Sequence, residues 1–216
     1  GPLDWRDRQN PKSHIDHNLK ELELILPPGN RPPPSVFRVN RLDRQHEPQA
    51  DTICAYTDGS KDGNRTGYGW CITHGNEILY EQSSPLDPYS NVFMAEMMAL
   101  IDALHEIGSW VGYQGSKGAN VWTDSRSSID AIFSPVISQP LALEAHNLIL
   151  KLQERGHPIS ILWVPGHKDR TGNEFADFLA KEGRDKPPRN PQPTLYTPLC
   201  LVKSRIRDLY KTKWEQ

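Results

Sequence analysis

The stretch ICAYTDGSKDGNRTGYGWCITHGNEILYEQS, residues 53–83, decides the fold class. Its first part alternates: Ile53, Ala55 and Thr57 fall on one side, Cys54 and Tyr56 on the other. That period of two is the signature of a strand. The run then meets Asp58-Gly59, a common turn dipeptide, so the strand is expected to end on the acid. Residues 67–83 read as two more strands joined by His74-Gly75-Asn76, a hairpin turn built around Gly75. Three strands in succession imply an antiparallel meander.

Downstream the period changes. MAEMMALIDALHEI, 94–107, predicts a helix, and NVWTD, 120–124, a strand. SRSSIDAIF, 125–133, predicts a helix opened by a serine cap. LALEAHNLILKLQERG, 141–156, is a helix stopped by Gly156. ISILWVPGH, 159–167, is a strand ending at a Pro-Gly break, and NEFADFLAKEG, 173–183, a last helix, again stopped by glycine. A meander followed by alternating helices and strands implies an α/β fold, a mixed sheet with helices on its faces.

Nineteen prolines cluster at the flanks of this block, in LPPGNRPPP (26–34) and KPPRNPQPTLYTP (186–198), and read as extended linkers. The expected organisation is an N-terminal extension over 1–47, a folded domain over 48–185, and a proline-rich linker with a terminal helix over 186–216. Ile15, Leu19, Leu22 and Leu26 place a short helix in the extension; it docks either on its own domain or on a neighbour. Leu201, Ile206, Leu209 and Trp214 have near-helical spacing in the tail. The start, GPL, resembles a protease-cleavage scar, so the chain is expected to be a piece of a longer one.

The formal net charge is -2, which excludes a strongly basic field that grips nucleic acid on its own. Three cysteines without metal-ligand spacing fit a reducing compartment, hence an intracellular protein of nucleus or cytoplasm. No apolar run approaches the roughly 20 residues of a membrane span.

Three acids stand out. Glu96 shares its helical face with Leu100, Ala103, Leu104 and Ile107, which should meet the sheet, while Asp102, His105 and Glu106 lie opposite. A buried carboxylate needs a partner or a metal. Asp58 and Asp124 each close a strand, and neighbouring strands can set them side by side beneath Glu96. Taken singly, Asp58 suits a turn, Asp124 a helix cap, and Glu96 the positive end of a helix dipole. Three converging carboxylates repel unless a divalent cation neutralises them, and oxygen-only ligands suit Mg²⁺ or Mn²⁺.

YTDGS, AEMMALIDAL, TDSRSSIDAI and WVPGHKDRTGNEFADFLA, in this order over residues 53–183, resemble the ribonuclease H family, in the flavour of a non-LTR (LINE-type) retrotransposon polyprotein. The resemblance implies the ribonuclease-H-like fold, a mixed five-stranded sheet with helices on both faces. It implies that Asp58, Glu96, Asp124 and Asp177 are the catalytic metal ligands and that His167 is the mobile histidine near the scissile phosphate. Asp177 comes only from this match; by spacing it joins Glu174 and Lys181 on an ordinary solvated face. The implied activity is endonucleolytic hydrolysis of the RNA strand of RNA/DNA hybrids, leaving 5′-phosphate and 3′-hydroxyl ends. Two Mg²⁺ ions, with Mn²⁺ as substitute, activate a water and stabilise the leaving oxygen. Gly59, Ser60, Asn91, Ser125, Arg126 and Lys168 are the expected substrate contacts. The implied partners are the hybrid and a linked reverse transcriptase of the same polyprotein; no membrane is expected, and the isolated piece is expected to be a monomer.

Two departures from the family pattern bear on affinity. Phe93 and Met94 precede Glu96 where polar contacts are common, and SPVISQP (134–140) holds no basic protrusion. Weak intrinsic substrate binding follows, with a tethered polymerase supplying effective concentration. The competing readings are an inactive structural module, whose mark is a missing carboxylate, and a transposase, whose acids follow another order.

Overall fold

In the computed structural model, residues 37–39, 42–165 and 171–187 are described. They fall within one compact unit, Val36–Leu195. The expected helix at 15–26, the terminal helix at 201–214, His167 and Lys168 lie outside the described residues.

The elements are β1 (Phe37–Arg38), β2 (Thr52–Asp62), β3 (Arg65–His74), β4 (Glu77–Leu86), α1 (Val92–Trp110), β5 (Gly118–Thr123), α2 (Arg126–Ile132), β6 (Val136–Ile137), α3 (Pro140–Glu154), β7 (Ile159–Trp163) and α4 (Thr171–Asp185). The main sheet has the order β4-β3-β2-β5-β7. Its first three strands form the expected antiparallel meander, turning through Gly75 at φ +58°. β5 and β7 add in parallel to β2. The mixed five-stranded sheet read from sequence is therefore the fold.

The alternation in β2 is borne out: Ile53, Ala55 and Thr57 are all fully buried. Its predicted end is not. β2 runs on through Asp58-Gly59 to Asp62, paired with β3 as far as Asp62↔Arg65. The dipeptide is no turn; Gly59 stands in the strand because α1 crosses it. A Cβ there would lie 2.6 Å from the Glu96 nitrogen and 2.8 Å from the Ala95 Cβ, a close backbone approach that only glycine permits. What does end near Asp58 is the parallel ladder to β5, whose last pair is Thr57↔Thr123.

Opposite Gly59 in the ladder stands Tyr68, whose hydroxyl donates to Asp102 of α1 at 2.5 Å. The alternate residues Gly67 and Gly69 face the other way, against the backbone of α4. Helices thus cover both faces. Gly183 does not stop α4, as expected from sequence, but lies within it. A side chain there would strike the backbone of Tyr68 and Ser84, so its role is close packing on the sheet.

One element escaped the sequence reading. β1 pairs antiparallel with β6, Phe37↔Ile137 and Arg38↔Val136, inside the stretch 134–140 taken for a plain connection. The segment between β1 and β2 then follows the fold: Leu42 is buried, Ser160 Oγ donates to Gln45 Oε1 at 3.0 Å, and the buried Asn120 binds Gln49 through both backbone groups.

Candidate active site

Four elements deliver the acids. β2 carries Asp58, and the chain leaving β5 carries Asp124 one pair beyond the end of the shared ladder. Strand-end adjacency therefore brings the two aspartates together. α1 presents Glu96 just past its first turn, where Gly59 lets the helix descend onto β2. Ligand oxygens of Asp58, Glu96 and Asp124 all lie within 4.8 Å of one another, and this is the cluster of metal-ligand type found among the described residues. α4 brings Asp177 close enough for its charge to act on Asp58, but Asp177 is not one of the three residues whose ligand oxygens cluster, and its Oδ2 accepts from Lys181.

The electrostatics are those of crowded anions. Asp58 is pushed up to about 7, first by burial, then by the charges of Asp124 and Asp177, against a lowering bond from the Gly59 amide. That amide donates to Asp58 Oδ1 at 2.9 Å. Glu96 is raised well above the usual carboxylate range by burial, then by Asp58 and Asp124. Glu96 is 7% exposed, and its Oε2 has no hydrogen-bond partner. A buried carboxylate oxygen without a donor, facing two more carboxylates, is a mismatch that a divalent cation relieves. The all-oxygen donor set fits a hard cation.

The other expected residues sort differently. Asn91 is the N-cap of α1, its side chain accepting from the Met94 amide at 2.9 Å. Ser125, not Asp124, caps α2 by accepting from the Ser128 amide. Ser60 Oγ accepts from Arg184 Nη1 at 3.3 Å. Gly59 is a packing position with its amide committed to Asp58. Arg126 lies over the Trp163 ring, 3.7 Å from its centroid. Met94 is buried, so it offers nothing to a ligand.

Lys181, the neighbour that the spacing gave Asp177, donates from Nζ to its Oδ2 at 2.6 Å. One contact was missed from sequence. Trp163 Nε1 donates to the Asp124 carbonyl oxygen at 3.1 Å, tying the end of β7 to the residue that closes β5. Its sequence signal was a tryptophan ending the Ile159-Ile161-Trp163 face, whose indole N–H requires an acceptor.

The RNase H family model matches residues 50–185. The Pol polyprotein of caprine arthritis encephalitis virus (strain Cork) is 26% identical over 155 residues, covering 67% of this chain and 12% of that polyprotein. The chain therefore spans about an eighth of that relative's length. The ribonuclease H of Paramagnetospirillum magneticum is 29% identical over 148 residues, covering 63% of this chain and 92% of that enzyme. Among solved structures, LC11-RNase H1, isolated from compost by a metagenomic approach, aligns with a TM-score of 0.51 at 26% identity over 62% of this chain and 96% of that one. A crystal structure of LC11-RNase H1 in complex with RNA/DNA hybrid shares the fold, with a TM-score of 0.50 at 24% identity over 62% of this chain and 97% of that one.

Proposed function

This chain belongs to the RNase H family, and from that premise we propose that it is a ribonuclease H, cutting the RNA strand of RNA/DNA hybrids with divalent cations held by Asp58, Glu96, Asp124 and Asp177. The observation that carries the metal reading is the partnerless, buried Oε2 of Glu96 within a cluster of three carboxylates. Mg²⁺ or Mn²⁺ held there would supply the charge that activates a water and stabilises the leaving 3′ oxygen, giving 5′-phosphate and 3′-hydroxyl ends. The chain's own contribution is geometric. β2 and β5 hold two acids at fixed spacing, and α1 closes one side with a carboxylate kept from water. α4 supplies the fourth acid from the other face. No side chain needs to act as a nucleophile, which accords with a site built of carboxylates alone. His167 is assigned to turnover rather than to metal holding.

The Pol polyprotein likeness and the proline-rich flanks support a place within a polyprotein; the neighbour we propose is the reverse transcriptase of a retrotransposon. Tethering then supplies the effective concentration that a net charge of -2 does not.

The test is cleavage of end-labelled RNA/DNA hybrid, single-stranded RNA and double-stranded DNA with Mg²⁺ or with chelator. Only the RNA strand of the hybrid should be cut, and only with the metal. Cutting that survives the chelator, or that ignores the DNA partner strand, refutes the reading. His167→Ala should slow steady-state turnover but leave a measurable rate, while the metal-induced rise in melting temperature stays. Loss of both would make His167 a metal ligand.

A further inference from the structure

Next to the acids lies a concavity that the proposed reaction does not use. It is a cleft of about 380 Å³, lined among others by Arg44, His46, Arg126, Asp130, Leu162 and Trp163. Its floor is the open edge of the sheet, since β7 is the last strand in the order. One wall is the start of α2; the other is the segment before β2, held there by the bonds of Gln45 and Gln49 to Ser160. The cleft touches the active site directly, because Trp163 Nε1 is bonded to the Asp124 carbonyl.

Two guanidinium groups, Arg44 and Arg126, face one carboxylate, Asp130, in a chain whose net charge is -2. Trp163 is 36% exposed although it ends a strand otherwise buried. Arg126 lies over the indole, 3.7 Å from its centroid, which holds the guanidinium in place while leaving its N–H groups free to donate in the plane. Arg44 meets Asp130 at 3.1 Å, with side chains 36% and 68% exposed. An exposed ion pair of that kind is weak and yields readily to a better anion. Packing alone explains the stacking of Arg126 on Trp163. It does not explain why a second arginine is carried to the same hollow by a segment tied to β7.

We propose that this cleft is a subsite for the nucleic-acid strand cut at the acids, taking a backbone phosphate between Arg44 and Arg126 and the adjoining nucleotide against Trp163. Cations that track a backbone beside an aromatic platform are the usual means of holding a strand without reading its sequence. The inference rests on the hybrid-nuclease reading, and it adds a basic contact to a chain of net charge -2 whose short 134–140 connection holds no lysine or arginine. The assignment also gives the segment before β2 a part in substrate binding.

Binding is measured in the Asp124→Asn background, so that the hybrid remains intact, by fluorescence anisotropy of labelled hybrid across a salt series. Arg44→Glu should weaken binding about tenfold and lower the slope of log affinity against log salt by about 1, one phosphate contact. Arg44→Lys should keep the slope. Arg155→Glu makes the same charge change on the exposed end of α3, at the far end of β7, and should leave both quantities unchanged. Arg44→Glu should also retain the melting temperature of its parent, which separates a lost contact from a lost fold. Equal affinity and slope for Arg44→Glu and parent overturn the subsite, as does an equal loss in Arg155→Glu. Cleavage by the unmodified protein, run in parallel, tests the nuclease reading by itself: hybrid cut normally while Arg44→Glu binds like its parent removes the cleft and leaves the nuclease standing.

Discussion

Asp124→Asn is expected to do two opposite things: abolish hybrid cleavage and stabilise the metal-free protein. The loss should be on the order of a thousandfold or more, the scale set by removing one group that stabilises charge at a reacting phosphate. The gain follows from the repulsion already present, since the Asp124 charge stands second to burial in raising Asp58 and, after burial and Asp58, third in raising Glu96. The substitution spares the backbone carbonyl that accepts from Trp163, so local geometry should survive.

The pH dependence has a definite sign. Asp58 is raised from 3.8 to about 7 in the folded state. Its protonated form is therefore favoured by folding; the stability is complete below pH 3.8 and is lost as pH climbs through about 7. The whole span is worth up to about 4 kcal/mol at 1.36 kcal/mol per pKa unit. In chelator, the melting temperature should fall between pH 4 and 7, and fall less in Asp124→Asn. Added Mg²⁺ should offset the fall, more so at higher pH, because cation and proton compete for the same oxygens. Thermal melts at several pH values, with and without Mg²⁺, check this. A metal-free Asp124→Asn that melts below the unmodified protein, or a variant that still cuts at a near-normal rate, contradicts the assignment of the cluster.

The second large effect concerns a residue with no side chain. At Gly69 a Cβ would sit 2.4 Å from the Ala180 nitrogen and from the Leu179 carbonyl carbon. Those are backbone atoms and cannot step aside as a rotamer can. Gly69→Ala must push α4 off β3, at a cost of about 3 kcal/mol or more, the upper range of overpacking. For a domain of this size that is roughly 10 °C in melting temperature. Because α4 carries Asp177, cleavage should fall as well. Gly63→Ala is the control: its φ is +56°, but nothing lies within 4 Å of the added carbon, so only local backbone strain of about 1 kcal/mol is expected. A Gly69→Ala protein that melts within about 2 °C of the unmodified one would mean that the helix is not seated as described.

Much of this was legible in the chain. The alternation of Ile53, Ala55 and Thr57 announced a strand with one buried side, and the placement of Glu96 among Leu100, Ala103 and Leu104 announced a carboxylate aimed inward. Both depend on neighbours in sequence, where periodicity works. What failed depended on partners far along the chain. Asp58-Gly59 has the local chemistry of a turn, yet β3 pairs straight through it and α1 requires the glycine. Gly183 has the look of a helix stop, yet Tyr68 and Ser84 lie against it. A glycine demanded by close approach and one demanded by a turn are the same letter, and only the fold separates them. The β1–β6 pair was invisible for a similar reason, being two residues long on each side. Asp177 gave no local sign at all, since Lys181 makes it look like an ordinary surface ion pair.

The order in which these acids occur along the polypeptide has a consequence for when the site can exist. Asp177 belongs to the last described helix, whereas Asp58 belongs to the first strand of the main sheet. β2 and β5 join in parallel across more than fifty intervening residues, a long-range pairing of the kind that forms late in folding. A ribosome delivers the chain from the N-terminus onward, so β2, β3 and β4 can pair as soon as they emerge, but three of the acids meet only once β5 has docked, and the fourth only after α4 has. A chain interrupted before residue 171 carries a sheet and an incomplete set of carboxylates. Synthesis itself thus acts as a timer, and a nucleic acid that meets the growing chain meets no finished blade until the domain is whole.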